Sequence, residues 1–340
     1  VPGARRRTCI QGRSSMVPLI DAAALASAES ASDPAVVALD AACMESGFFR
    51  LSSAAVPCSL VEGALDAACG FFARPLEEKL RHCGSAATGW RGYTPMGGGH
   101  NCSPASRQPE RKESFYWGEP DTDGDAAAPP AAELAALDAA ARVFHASMLE
   151  ATRAVLRGLS LAMGMAPSAL EERVFTAPSA KVLLVAYDPV ERSELSCGSH
   201  TDCGFLTMLC SRGGRGLQVR RRADGTWLDV DSAAAGGGAA ASPTFVCNLG
   251  DLAARLSGGR YASTPHRVLN DSAERRVALV FFNNLDESAP CDVAVQEPGG
   301  GGGAAAAVRE AGSKRRLTCG QYVAERLAEM RGGFAERANG

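Results

Sequence analysis

From Lys181 to Asn284 the chain reads as a run of short β-like segments. They are Lys181-Val182-Leu183-Leu184-Val185-Ala186-Tyr187, Phe205 to Leu209, Leu217-Gln218-Val219, Trp227 to Val230, Thr244 to Asn248 and Arg276-Val277-Ala278-Leu279-Val280-Phe281-Phe282. Gly- and Asp-containing turns separate them. Many short strands in one block predict a double-sheet barrel or jelly roll. Within that block stands His200-Thr201-Asp202, and further on His266 in Thr264-Pro265-His266-Arg267-Val268. Two imidazoles and one carboxylate are the ligand set of a non-haem Fe(II) site that keeps other coordination positions open. Side chains two apart on a strand share a face, so His200 and Asp202 are expected to grip one metal from a single strand, with Thr201 pointing away. His266 must then arrive from another strand.

The rest of the chain surrounds this block with helices. A short strand is expected at Val17-Pro18-Leu19-Ile20-Asp21, a helix from about Pro34, a strand at Gly47 to Leu51 and a helix from Ser59 to Phe72. Pro75-Leu76-Glu77-Glu78-Lys79 opens a further short helix, with acidic residues near its positive end. Residues 84–125 carry many Gly, Pro, Ser and Asp and read mostly as loop. Helical spacing of Leu and Val predicts a long helix from about Ala131 to Met163, interrupted near Gly158. The expected organisation is a basic start (1–15), an N-terminal α/β region (16–170), a metal-binding core (178–296), a flexible loop (297–312) and a C-terminal helix packed on the core (313–340). Within the core, the Ala/Gly-rich insert at 233–242 has side chains too small to pack, and it reads as a flexible excursion. The fold class is mainly β with flanking helices.

Composition excludes several functions. The 340 residues include 35 basic and 38 acidic side chains, a net charge of −3. That balance gives no basic surface for nucleic acid or acidic lipid. No apolar run approaches the roughly 20 residues of a membrane span. The 12 cysteines show no CxxC pair, so free thiols in a reducing compartment are expected rather than disulfides or structural zinc. A monomeric cytoplasmic protein is the simplest expectation. Arg5-Arg6-Arg7 and Arg13 leave organelle import as the alternative.

The chain has five histidines: His82, His100, His145, His200 and His266. Any one alone reads as structural, and His145 falls inside the long helix. His200 and His266 stand apart because Asp202 completes a ligand set. Arg276 opens an otherwise apolar strand, where its planar fork suits a carboxylate; the plainer reading is a surface salt bridge. Arg275 points the other way and reads as a surface residue. Tyr187 could donate to the same carboxylate or serve as a core aromatic. Asn248, Asp251 and Trp227 read as turn, strand-end and packing residues. Cys203, directly after Asp202, is an oxidation risk unless buried.

In these residues the chain resembles the iron/2-oxoglutarate-dependent dioxygenases, in their isopenicillin N synthase-like branch. The likeness runs in order through Val17-Pro18-Leu19-Ile20-Asp21, Gly47-Phe48-Phe49, Phe71-Phe72, Pro75-x-Glu77-Glu78-Lys79, Arg91-Gly92-Tyr93 and Lys112-Glu113-Ser114-Phe115. It continues through Tyr187-x-Pro189, His200-Thr201-Asp202 with Leu206-Thr207, Gly216-Leu217-Gln218-Val219, Trp227 and Asn248-Leu249-Gly250-Asp251. His266-Arg267-Val268 to Arg276, and Gly320-Gln321-Tyr322-Val323, complete it. The resemblance implies a double-stranded β-helix core with Fe(II) on His200, Asp202 and His266, and 2-oxoglutarate on Arg276. It implies oxidation of a C–H bond of a small-molecule substrate by dioxygen (hydroxylation, desaturation or ring closure), with ascorbate as a candidate reductant. Two positions depart from the family's pattern. Arg-x-Ser is here Arg276-Val277-Ala278, and a polar residue two before the tyrosine is here Val185. The missing hydroxyl removes a hydrogen bond worth about 0.5–1.5 kcal/mol. This keeps an oxidase that uses no 2-oxoglutarate as an alternative, beside a catalytically silent binding protein and, more distantly, a zinc hydrolase.

Overall fold

The computed structural model describes residues 17–85, 91–98, 110–118, 132–191, 194–213, 215–232, 242–270, 272–291 and 317–335. The expected basic start, the loop at 297–312 and all but Ser242 of the 233–242 insert lie outside the described residues.

The N-terminal part runs β1 (Leu19–Asp21), α1 (Ala22–Ser27), α2 (Pro34–Glu45), β2 (Phe48–Ser52), α3 (Cys58–Phe72), α4 (Leu76–Leu80), β3 (Gly92–Thr94), β4 (Glu113–Gly118), α5 (Ala135–Ala162) and α6 (Ala169–Val174). Then follow β5 (Pro178–Tyr187), β6 (Glu194–His200), β7 (Leu206–Arg212), β8 (Leu217–Arg220), β9 (Trp227–Asp229), β10 (Thr244–Leu249), α7 (Asp251–Leu256), β11 (His266–Asn270), β12 (Arg276–Asp286) and α8 (Cys319–Ala335). They form an eight-stranded sheet, ordered β1-β2-β10-β7-β12-β5-β4-β3, and a four-stranded sheet, β6-β11-β8-β9. Apart from the β8–β9 hairpin, successive strands from β5 to β12 alternate between the two sheets, which makes the jelly roll that the strand pattern predicts.

The period of two sorts each strand of the larger sheet into two faces. Val277, Leu279 and Phe281 of β12 join Val182, Leu184 and Ala186 of β5, and Met208 and Cys210 of β7, in the main core with the helices. The intervening residues face the smaller sheet: Leu209 and Val246 pack with Leu217 and Val219 in one inner cluster, and Val185 and Tyr187 pack with Cys197 and Val268 in another. Val280 touches both clusters. Ala278 and Arg276, two and four residues before Val280, therefore belong to the inner face.

Helix α5 lies against α1, α2 and α3. Leu137, Ala141, Phe144, Met148, Ala151, Val155 and Leu159 recur every three or four residues and are all buried, so tertiary burial of one stripe holds this helix. The break expected at Gly158 does not occur. A Cβ there would come within 2.8 Å of Cδ2 of both Leu25 and Leu39, so glycine lets α1 and α2 approach closely while the helix continues. The loop expected at 84–125 is also corrected. It contains β3 and β4, and β4 pairs with β5 from Glu113↔Ala186 to Gly118↔Lys181. Phe115 and Trp117 of β4 are buried, while Glu113 occupies a third buried position and breaks the apolar alternation. Glu113 is paired rather than isolated: Lys79 Nζ lies 2.7 Å from Oε2, Tyr93 donates its hydroxyl to the same oxygen at 2.6 Å, and Arg275 binds Oε1. Arg275 is thus half-buried and ion-paired, not the surface residue expected.

None of the ten cysteines among the described residues is in a disulfide. No helix among the described residues is long and apolar enough to cross a membrane.

Candidate active site

Strand β6 ends at His200 and β11 begins at His266, and the two are register partners. Their rings lie 4.3 Å apart between centroids. Asp202 is not on the strand as expected, since β6 stops at His200 and the carboxylate comes from the connection to β7. That connection is clamped from behind by the start of α7: Asp251 donates its N–H to the Asp202 carbonyl at 2.8 Å, and Gly250 donates to Phe205 at 3.0 Å. A Cβ at residue 250 would meet the Asp202 carbonyl oxygen at 2.6 Å, so the close approach requires glycine. Thr201 turns away, its hydroxyl 3.3 Å from Asp251 Oδ2.

The three side chains converge. Nε2 of His200 and Nε2 of His266 lie 3.8 and 3.7 Å from Oδ1 of Asp202. Each residue offers one ligand atom, and these atoms all fall within 4.8 Å of one another. Each ring's other nitrogen faces a backbone carbonyl, His200 Nδ1 at 2.8 Å from Gly198 O and His266 Nδ1 at 3.2 Å from Thr264 O. A carbonyl only accepts, so both Nδ1 atoms carry the proton and both Nε2 lone pairs face inward, the tautomer that ligation requires. Asp202 Oδ2 accepts from Thr207 Oγ1 at 2.6 Å and from Asn248 Nδ2 at 2.7 Å. Oδ1 is left for a metal, which favours monodentate binding.

The electrostatics agree with this donor set. Burial alone would raise the Asp202 carboxyl, but His266, His200 and the two hydrogen bonds hold it below the usual carboxylate range. Burial, and next the neighbouring His200, push the His266 imidazole well below its ordinary value, so it is neutral at pH 7. Two imidazole nitrogens and one carboxylate oxygen, converging within 4.8 Å of one another, suit Fe(II). Thr207 and Asn248 were not among the candidate residues read from sequence. Their signal was available in Leu206-Thr207 and in Asn248-Leu249-Gly250-Asp251, but polar residues at strand ends read equally well as turn formers.

A second polar group lies on the inner face of the larger sheet. Arg276, first residue of β12, pairs with Tyr187, last residue of β5. The guanidinium carbon lies 5.0 Å from the Tyr187 ring centroid. Arg276 is only 2% exposed, so the surface salt-bridge reading is wrong. Among the described residues it has no carboxylate partner; Nη2 donates to Ser232 Oγ at 3.3 Å, and Nε has no hydrogen-bond partner. A buried guanidinium without a counter-ion is costly unless a ligand supplies one. Thr207 beside the triad and Ser211 beside Ser232 are four residues apart on β7, about 13 Å between Cα atoms at the rise of a strand. Thr207 at one end of β7 thus touches the triad, and Ser211 at the other end lies beside the buried guanidinium's partner Ser232.

Other sequence candidates are placed elsewhere. His145 is buried between Trp117 and Phe281, with Nε2 3.2 Å from Ala180 O, as a structural histidine. His82, largely buried, lies 2.7 Å from the exposed Glu133 in the N-terminal part. His100 lies outside the described residues. Cys203 is buried, and burial foremost pushes its thiol up to about 12, which keeps it protonated and unreactive beside the site. Trp227 carries Arg267 over its ring at 4.1 Å. A cavity of about 710 Å³ opens on the flank between β2 and the β8–β9 turn, lined by Phe48, Val219, Arg50 and Arg220 among others, and the triad does not line it.

Comparison with known proteins places these features. Residues 17–136 match the family described as non-haem dioxygenase in morphine synthesis N-terminal, and residues 179–285 match the 2OG-Fe(II) oxygenase superfamily. The chain is 30% identical over 264 residues to homoarginine-6-hydroxylase 2-ODD-233 of Oryza sativa subsp. japonica, covering 72% of this chain and 75% of that protein. It is 29% identical over 268 residues to the 2-oxoglutarate-dependent dioxygenase citB of Monascus ruber, covering 72% of this chain and 78% of that one. In fold it is similar to a full-length Neurospora crassa protein crystallised in complex with alpha-KG, with a TM-score of 0.75 at 23% identity over 92% of this chain and 96% of that one.

Proposed function

This chain belongs to the 2OG-Fe(II) oxygenase superfamily, and from that premise we propose that His200, Asp202 and His266 hold the iron while Arg276 holds the distal carboxylate of 2-oxoglutarate. The protein is an Fe(II)- and 2-oxoglutarate-dependent dioxygenase. The iron and cosubstrate together supply the oxidative decarboxylation of 2-oxoglutarate to succinate and CO2 by dioxygen, coupled to oxidation of a substrate C–H bond. The chain's own residues set the geometry. Gly198 and Thr264 carbonyls fix the imidazole tautomers. Thr207 and Asn248 hold one oxygen of Asp202 away from the metal position. Three protein donors leave the remaining positions open for a chelating cosubstrate and dioxygen.

One observation carries the cosubstrate assignment: Arg276 is buried, stacked on Tyr187 and without a protein counter-ion among the described residues, on the inner face of the larger sheet, which also carries Thr207, a donor to Asp202. In an oxidase that takes all electrons from its substrate, the same guanidinium would instead hold a carboxylate of the substrate. The test is succinate and CO2 release by wild type and Arg276→Met. Losing a charged, desolvated carboxylate contact costs about 2–5 kcal/mol, so the 2-oxoglutarate requirement should rise steeply with iron content unchanged. An unchanged requirement would contradict the assignment and favour the oxidase.

The substrate is proposed to be a small molecule, and hydroxylation is the outcome tried first because several relatives are named as homoarginine-6-hydroxylases. Relatives of similar identity bear other names, among them the 2-oxoglutarate-Fe(II) type oxidoreductase hxnY of Emericella nidulans at 29%. Homoarginine is therefore the first compound of a wider screen. A monomeric, cytoplasmic enzyme completes the proposal; the unbridged thiols support a reducing compartment, and light scattering on the purified protein tests the monomer.

A further inference from the structure

We infer that Ser232, oriented by Ser211, is a cosubstrate-binding residue that supplies the hydroxyl absent from residue 278. This inference rests on the reading of Arg276 given above and adds a named contact to it. On the inner face of the larger sheet, one cross-strand row reads Ser211, Ala278, Val185, and the next row begins with Arg276 beside Tyr187. Neither Ala278 nor Val185 offers a polar side-chain atom to a carboxylate held by Arg276. Ser211 is the direct cross-strand partner of Ala278 and is 3% exposed. Its hydroxyl lies 2.8 Å from Ser232 Oγ, and Ser232 Oγ lies 3.3 Å from Arg276 Nη2. One buried hydroxyl thus adjoins the guanidinium, from the chain after β9, and a second, from β7, contacts the first; neither comes from β12.

The Ser232 carbonyl accepts the Ser211 backbone N–H at 2.7 Å, and Ser211 Oγ lies 3.1 Å from the same carbonyl and 2.8 Å from Ser232 Oγ. Without an anion, Ser211 can donate to the carbonyl and Ser232 to Ser211 Oγ. With an anion beside Arg276, Ser211 Oγ–H turns to Ser232 Oγ, which also accepts from Arg276 Nη2. That turn frees the Ser232 hydroxyl hydrogen as a donor next to a guanidinium that attracts an anion. A carboxylate bridging Arg276 and Ser232 satisfies both, and the bond is charge-assisted. Ser211 never touches the ligand in this arrangement; it is a positioning residue that turns the Ser232 hydrogen outward.

Binding of two probes to Fe(II)-loaded protein, measured by calorimetry under nitrogen, tests the inference. The probes are 2-oxoglutarate and 2-oxobutyrate, which keeps the keto-acid end and lacks the distal carboxylate. Ser232→Ala should weaken 2-oxoglutarate about tenfold or more, as expected for a hydrogen bond to a charged group, and leave 2-oxobutyrate unchanged. Ser232→Thr, which keeps the hydroxyl, should bind both probes like wild type, and Ala278→Ser added to Ser232→Ala should recover 2-oxoglutarate binding. Equal loss of both probes in Ser232→Ala, or unaltered 2-oxoglutarate binding, overturns the inference. Arg276→Met separates the two levels. If it loses 2-oxoglutarate selectively while Ser232→Ala does not, only the serine assignment fails. If Arg276→Met also binds like wild type, the underlying reading fails with it. Should Ser232→Ala not fold, Ser211→Ala carries the test, with a smaller selective loss expected and no selective loss overturning the inference.

Discussion

His200 and His266 are cross-strand partners at the end of the β6–β11 pair, with their Nε2 atoms 3.8 and 3.7 Å from one oxygen of Asp202. This pairing brings together two imidazoles that are far apart in the chain without any contribution from a flexible loop. Strand register sets the histidines, and the α7 clamp on the Asp202 backbone brings the carboxylate to them. Each part can be disturbed separately.

Asn248→Ala or Thr207→Ala frees Asp202 Oδ2 from one of its two donors. Groups that orient metal ligands typically contribute about 10–100-fold in metal affinity. Each variant should therefore bind Fe(II) more weakly by that order while keeping its melting temperature within a few degrees. A competition titration against a chelator reads the change. Wild-type affinity in both variants would mean that the carboxylate is oriented by its backbone alone.

Glu113→Ala removes the acceptor shared by Lys79, Tyr93 and Arg275. Breaking a buried pair while leaving its cations in place costs about 3–5 kcal/mol. The variant should melt markedly lower, because this cluster ties β3, β4 and α4 to the jelly roll. Iron stoichiometry of the folded fraction should be unchanged. Calorimetry and metal analysis on the same sample decide it, and an unaltered melting temperature would show that the cluster is energetically idle.

Gly158→Ala forces a methyl against Leu25 and Leu39. Overpacking of this kind costs about 1–3 kcal/mol, despite alanine's better helix propensity. Thermal unfolding should move down by a few degrees with turnover at moderate temperature intact. A rise in stability would mean that α1 and α2 yield easily.

The strands with long apolar or β-branched runs, β5, β7, β10 and β12, were legible because alternation and composition point the same way. Strands β3 and β4 were not. Their neighbours are rich in Gly and Pro, and Glu113 puts a charge at an inward position that only its cationic partners explain. Gly158 misled for a similar reason: glycine weakens an isolated helix, but here it serves contact with two other helices, which local sequence does not encode. In the site, His200, Asp202, His266, Arg276 and Tyr187 could be singled out from residue type and spacing. Asn248, Ser211 and Ser232 make their contacts with residues 21 to 46 positions away, and Thr207 meets Asp202 only through the turn of the β6–β7 connection. The expectation that His200 and Asp202 share a strand was wrong in detail, since Asp202 reaches the site from a clamped connection.

The insert at 233–242 begins directly after Ser232, which touches Arg276. Loop length changes closure entropy slowly, about 0.6 kcal/mol per doubling. Removing about half of the insert while keeping Ser232 should leave melting temperature, iron content and 2-oxoglutarate binding near wild type. Loss of turnover with unchanged melting would assign the segment a role over the site.

The central claim is that His200, Asp202 and His266 together hold the iron. Elemental analysis of anaerobically loaded, folded protein tests it directly in wild type, His200→Ala, Asp202→Ala and His266→Ala. The account predicts one iron per chain in wild type and almost none in each variant, with circular dichroism showing the fold retained. Full iron occupancy in any one of the folded variants would contradict it.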